Sequence, residues 1–123
     1  MIKSSGLNHI NLNVSDIQRS LRFYREAFGL EVKFWEGGRM VFLGSPSARD
    51  LITLCETDKV QPIGSGGVSH FGFALGRKDE LDECVRQIES AGGKLLSRGE
   101  HAPGIPYAYF ADPDGYVIEI GNT

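Results

Sequence analysis

The feature that most constrains this chain is that it states nearly the same plan twice. Leu7-Asn8-His9-Ile10-Asn11-Leu12-Asn13-Val14 and Val68-Ser69-His70-Phe71-Gly72-Phe73-Ala74-Leu75 both alternate as strands do, each with a histidine in third place. A turn and an amphipathic helix follow each. The first helix is expected from about Asp16 to Phe28, with Ile17, Leu21, Tyr24 and Phe28 at helical spacing and Gly29 ending it. The second is expected from about Asp79 to Ala91, with Leu81, Cys84, Val85 and Ile88 on one face. Three strand-like segments follow each helix: Glu31–Trp35, Arg39–Leu43 and Leu51–Cys55, then Lys94–Arg98, Pro106–Phe110 and Tyr116–Ile120. Asp112-Pro113-Asp114-Gly115 is a turn signal between the last two. The plan is therefore βαβββ twice, an α+β fold. A module of about 6–57, a Gly- and Pro-rich linker of about 58–67 and a module of about 68–122 make one domain over residues 1–123.

Strand alternation sorts the side chains by face. Ile10, Leu12 and Val14 turn toward the first helix, leaving His9, Asn11 and Asn13 on the other side. Phe71, Phe73 and Leu75 oppose His70, Gly72 and Ala74, and Ile118 and Ile120 oppose Glu119. His9, His70 and Glu119 thus belong to the faces turned away from the helices. Two curved mixed sheets would bring those faces together as a cup. A lone strand histidine is usually structural and a lone terminal glutamate usually solvated. Here, however, the histidines hold the same place in two repeats, and an ionised carboxylate turned inward needs a counter-charge. Two imidazoles and a carboxylate suit Fe(II), Mn(II) and similar ions. Thr53 is the repeat mate of Glu119 and a poor ligand, and Glu56 should face the other way. Three protein ligands with open positions are the result.

Composition narrows the partners. A net charge of −3 with scattered basic residues argues against nucleic acid, and no apolar run is long enough to span a membrane. The opening residues hold no apolar signal segment, and two cysteines, Cys55 and Cys84, are too few for a disulfide framework. A cytoplasmic protein is the expectation.

Leu-Asn-His9, Asp16…Ser20-Leu21-Arg22-Phe23-Tyr24…Gly29-Leu30, Ser69-His70-Phe71 and the run Ala111 to Ile120 together resemble the vicinal oxygen chelate superfamily, over essentially the whole chain. That family includes glyoxalase I, extradiol dioxygenases, methylmalonyl-CoA epimerase, fosfomycin-resistance enzymes and bleomycin-resistance binders. The resemblance implies paired βαβββ modules around a divalent metal, a small substrate chelating it through adjacent oxygens, and a homodimer whose modules can pair across subunits. Glyoxalase I and the epimerase carry a fourth ligand where Thr53 stands. Fosfomycin enzymes carry further chain beyond the last Glu, where this one ends four residues on, and glutathione-using members place a Thr at Asn11.

Extradiol dioxygenases have a Gly-x-His, Tyr, Pro-x-Gly, Glu signature that resembles Gly99-Glu100-His101, Tyr109, Pro113-Asp114-Gly115 and Glu119. Ala108 departs from it, and no histidine lies in the segment before His70 where that branch has a catalytic one. The resemblance makes Tyr109 and His101 the catalytic candidates, as hydrogen-bond donor and proton relay. Their plainer readings are a strand tyrosine and a loop histidine. Asn11, Thr53, Phe34, Trp35, Phe42 and Tyr107 are the substrate-binding candidates, although most aromatics in such a chain are core. The expected activity is an Fe(II)-dependent, extradiol-type dioxygenase. A glyoxalase- or isomerase-like lyase using Mn(II), Ni(II), Co(II) or Zn(II), a fosfomycin-type thiol transferase and a non-catalytic drug binder are the alternatives.

Overall fold

The computed structural model describes residues 1, 3–58, 68–76 and 80–121. The chain divides into two compact units, Met1–Val60 and Gln61–Thr123. The first unit holds β1 (Ile10–Val14), α1 (Ile17–Phe28), β2 (Glu31–Glu36), β3 (Met40–Gly44) and β4 (Ile52–Glu56). The second holds β5 (Phe71–Ala74), α2 (Leu81–Ser90), β6 (Lys94–Ala102), β7 (Ile105–Ala111) and β8 (Val117–Gly121). Each unit forms a four-stranded mixed sheet of the same order, β1-β4-β3-β2 and β5-β8-β7-β6. The α+β, twice-βαβββ plan is present. The linker read at about 58–67 falls, Asp58 apart, outside the described residues, and so does Asp79, the expected start of the second helix. Among the described residues no helix is long and apolar enough to cross a membrane.

Helix α1 begins where Asp16, in extended backbone, accepts a hydrogen bond from the Arg19 amide at 3.1 Å. A second carboxylate helps, since Glu56 Oε2 accepts from the Ile17 amide at 2.8 Å. The helix ends at Gly29, whose φ of 65° lets its own amide and that of Leu30 return to the carbonyls of Arg25 and Tyr24. Ile17, Leu21, Phe23 and Tyr24 are buried against the sheet, with Phe23 and Tyr24 packed edge to face at 5.0 Å. Phe28, expected in this stripe, is only half-buried, and Phe23 takes its place in the core. Asp16→Ala should lower stability by about 1 kcal/mol, read from urea unfolding, with Glu56 limiting the damage to the helix end.

Helix α2 lies against β6 and β7 and buries Leu81, Val85 and Ile88, while Cys84 stays half-buried. Burial, the first cause, and then Glu80 push the Cys84 thiol up, so it is a poor nucleophile. Asp82 on the helix takes a hydrogen bond from Arg98 on β6, which holds its carboxyl below the usual carboxylate range. A depressed folded value means the pair stabilises above the unfolded Asp value of about 3.9 and loses that effect as pH falls through the folded one. Arg98→Ala should raise the Asp82 titration midpoint part of the way back to the ordinary aspartate value in carboxyl NMR, with little change in stability because the pair is exposed.

Three of the boundaries that differ from expectation concern the site. Strands β1 and β5 start one residue after His9 and His70, because the parallel pairing begins at Ile10↔Ile52 and Phe71↔Ile118. Strand β6 runs past Arg98 to Ala102 and turns only at Pro103-Gly104, where Gly104 takes φ 77°. His101 is therefore a strand residue rather than a loop one.

Candidate metal centre

Strand register builds the site in the second unit. Gly72, Glu119, Tyr109 and Ser97 lie side by side across β5, β8, β7 and β6. The β7–β8 connection makes Tyr109 and Glu119 direct neighbours. The Asp112 amide bonds the Tyr116 carbonyl at 2.9 Å, so only Pro113-Asp114-Gly115 turns the chain, and Asp112 Oδ1 accepts from the Asp114 and Tyr116 amides inside that turn. Such a three-residue connection leaves Tyr109 and Glu119 opposite one another on one face.

Three polar side chains meet at Glu119. Tyr109 donates its hydroxyl to Oε2 at 3.0 Å. His70 Nε2 stands 3.2 Å from the same oxygen. His101 Nε2 stands 2.6 Å from the other oxygen, Oε1, where a register shift between Glu100 and Ala102 bends β6. The hydrogen bond from His101 is the main reason the Glu119 carboxyl is held below the usual range. Partial burial opposes it, while Tyr109 and the two imidazoles add to it. Glu119 is thus an anion at neutral pH. Burial, and after it the neighbouring carboxylate, pushes the Tyr109 phenol up, so Tyr109 keeps its proton there and acts as a donor.

The side chain before each histidine touches its Nδ1: Asn8 Oδ1 at 2.7 Å from His9, and Ser69 Oγ at 3.2 Å from His70. A partner on Nδ1 leaves Nε2 free to present a lone pair, as metal-binding imidazoles require. Among the described residues no group of three or more His, Cys, Asp and Glu side chains stands assembled to hold an ion. The pair His70–Glu119 does fit one edge of such a site. Two ligands each about 2.1 Å from one ion lie about 3.0–3.4 Å apart, and these atoms are 3.2 Å apart. A neutral imidazole beside a carboxylate is also a donor pair that divalent ions accept.

In the first unit the equivalent row is Asn11, Thr53, Phe42 and Phe34. Thr53 is buried and donates its hydroxyl to Asn11 Oδ1 at 2.6 Å, which orients Asn11. Glu56 faces α1, as alternation demands, with its second oxygen 3.9 Å from Arg39. Phe34 and Phe42 stack at 4.1 Å on the Thr53 face. Trp35 does not join them, because it pairs with Val41 on the opposite, helix-facing side. Tyr107 shares the face of Tyr109 and stacks on His101 at 4.2 Å. Reading the sequence missed Asn8 and Ser69. The signal was there, a polar residue before the histidine in each repeat.

It also missed why Gly72 is a glycine. A Cβ there would sit 2.6 Å from the Glu119 carbonyl oxygen, which is backbone and has little room to yield. Gly72→Ala should cost about 1–3 kcal/mol in thermal or urea unfolding and displace Glu119 along with its strand.

The sequence pattern of the Glyoxalase/Bleomycin resistance protein/Dioxygenase superfamily matches residues 6–120. The chain belongs to that superfamily. A probable lactoylglutathione lyase of Synechocystis sp. is 32% identical, over 95% of this chain and 95% of its own. The glutathione transferase FosA of Serratia marcescens is 29% identical, over 94% of this chain and 79% of its own. The fosfomycin resistance protein FosX of Listeria monocytogenes, solved as an E126Q mutant with Mn(II) and 1S,2S-dihydroxypropylphosphonic acid, superposes with a TM-score of 0.81. That structure covers 98% of this chain and 93% of its own at 24% identity, a likeness that speaks for the fold. The superfamily's relatives of this chain thus include a lyase and a transferase, and one has been solved with a divalent metal.

Proposed function

We propose that this member of the superfamily is a divalent-metal-dependent enzyme acting on a small molecule that presents two adjacent oxygens. His70 and Glu119 are taken as two ligands and His9 as the third, from the same chain or from a second copy in a homodimer. What carries this reading is Glu119 itself, an anion with one oxygen beside His70 Nε2 and the other fixed by His101. A bound divalent ion would lower the pKa of a substrate hydroxyl and neutralise the oxyanion that develops.

For the reaction class, the extradiol type is preferred. Fe(II) suits two imidazoles and a carboxylate. The hairpin β6–β7–β8 joins His101, Tyr109 and Glu119, whereas Glu56, whose presence as a further ligand would have favoured a glyoxalase-like reaction, is engaged at the start of α1. The protein's own groups would divide the work. Tyr109, protonated at neutral pH, donates to a substrate oxygen that displaces it from Glu119. Because His101 Nε2 gives its proton to the hydrogen bond with Glu119, the other ring nitrogen, Nδ1, would accept the proton of a substrate hydroxyl and return it later. Phe34, exposed, and Phe42, half-buried, stack on the first unit's own sheet and are kept as substrate-binding candidates. Catechol and dioxygen would give one ring-opened product, both oxygen atoms retained and the electrons supplied by the catechol.

A second reading rests on the lyase and transferase relatives. It is non-redox chemistry on a glutathione adduct or an epoxide, with Mn(II), Ni(II), Co(II) or Zn(II). One experiment separates the two. Protein loaded anaerobically with Fe(II) is given a panel of catechols and air, and protein loaded with Mn(II) or Ni(II) is given methylglyoxal with glutathione, or an epoxide with glutathione. Oxygen uptake with a ring-opened chromophore supports the first reading. Uncleaved catechols beside turnover in the other arm replace it with the second.

A further inference from the structure

Glu119 can serve an ion only if its carboxylate is turned the right way, and the structure contains a device for that. His101 holds Oε1 at 2.6 Å, which leaves Oε2 on the side of His70. His101 is itself half-exposed on a bent strand, where an imidazole would ordinarily turn about its side-chain bonds. Tyr107 stops it. Its ring lies on the imidazole at 4.2 Å with planes 24° apart. Tyr107 can lie there because its cross-strand neighbours on either side, Gly99 and Gly121, have no side chains. A Cβ on Gly99 would stand 2.7 Å from the Tyr107 hydroxyl oxygen and 2.9 Å from Cζ, and a Cβ on Gly121 3.4 Å from Tyr107 Cβ. The ring also meets Tyr109 edge-on at 5.3 Å, so it is held from that side as well.

We infer that Tyr107 is a positioning residue: by stacking on His101 it fixes the imidazole against Glu119 Oε1 and so presents Oε2, next to His70 Nε2, to a divalent ion. Gly99 is the opening that admits it. This rests on the metal-dependent reading above but assigns Tyr107 a different task from that of a substrate wall. The stack needs the ring and not the hydroxyl, because among the described residues no hydrogen bond of the Tyr107 hydroxyl takes part in it.

The test measures Mn(II) affinity by the EPR signal of free Mn(II), together with the imidazole 15N spectrum of the metal-free protein and its thermal midpoint. His101→Ala should weaken Mn(II) binding about 10–100-fold, as loss of a partner behind a ligand does. Tyr107→Ala should weaken it about 5–10-fold, toward the lower end of that effect because it acts through His101. Tyr107→Phe should restore wild-type affinity. Gly99→Ala, which keeps the tyrosine but pushes it aside, should fall between, and covers the case in which Tyr107→Ala fails to fold. The His101 Nε2 resonance should move in Tyr107→Ala and Gly99→Ala and stay in Tyr107→Phe. Unchanged affinity and an unmoved His101 resonance in folded Tyr107→Ala or Gly99→Ala overturn the inference while leaving the metal reading intact, as does a Phe variant that fails to rescue. A wild-type protein that binds no Mn(II) overturns the metal reading itself, and this assignment with it.

Discussion

Replacing Glu119 by alanine should strip the protein of divalent metal and cut turnover by at least about 100-fold, beyond what losing an outer partner costs. The reason is the convergence on one side chain. Glu119 offers one oxygen beside His70 Nε2 and binds both His101 and Tyr109. Its removal takes away the negative charge that His70, His101 and Tyr109 share and leaves two imidazoles and a phenol without it. Metal analysis of the purified variant, beside calorimetric titration with Fe(II) or Mn(II), reads the first effect, and steady-state kinetics the second. Glu119→Gln is the sharper comparison, because it keeps the shape and removes the charge. Its amide oxygen is a weaker ligand, so affinity should lie between wild type and Glu119→Ala. The Tyr109 phenol should also come down part of the way, since burial, the first cause of its elevation, remains. A Glu119→Ala protein that retains stoichiometric metal would end the account of the site.

Phe110→Ala should be the most damaging change to the fold, by about 3–5 kcal/mol. Phe110 is fully buried on β7, between Leu95 and Ile118, on the face away from the site. Its ring fills space that the main chain of a central strand cannot collapse into, so both the transfer cost and the cavity cost apply. A drop in the thermal midpoint on the order of 10 °C or more should follow. Because Phe110 points away from Glu119 while Tyr109 beside it points toward it, the folded variant at low temperature should still bind one metal. Urea unfolding and metal titration on the same sample check both halves. Lost metal binding with unchanged stability would mean that the two faces of β7 are misassigned.

Much of this was legible because period-two alternation and the internal repeat are local, additive signals. The faces of β1, β4, β5 and β8, the α1 stripe apart from Phe28, and the equivalence of Thr53 with Glu119 follow from them, and the register Ile10↔Ile52 matches Phe71↔Ile118. Boundaries were less legible, since a strand ends where its partner ends. His9 and His70 fall just outside β1 and β5 for that reason. Trp35 shows the same limit, because adjacent aromatics in a run such as Phe34-Trp35 must part to opposite faces, and composition alone does not say which serves the site.

By itself the sequence determined the twice-repeated βαβββ plan and the placement of His70 and Glu119 on the sheet face turned away from the helix, since both depend on spacing along the chain, whereas the side taken by Tyr109 waited on the three-residue β7–β8 connection. Only the tertiary structure decided that His101 bends off β6 to reach Glu119, that Tyr107 lies over it, and that Gly72 and Gly99 must be bare. Those depend on hairpin register, a strand irregularity and the space between neighbouring strands, quantities fixed only when distant segments are packed together.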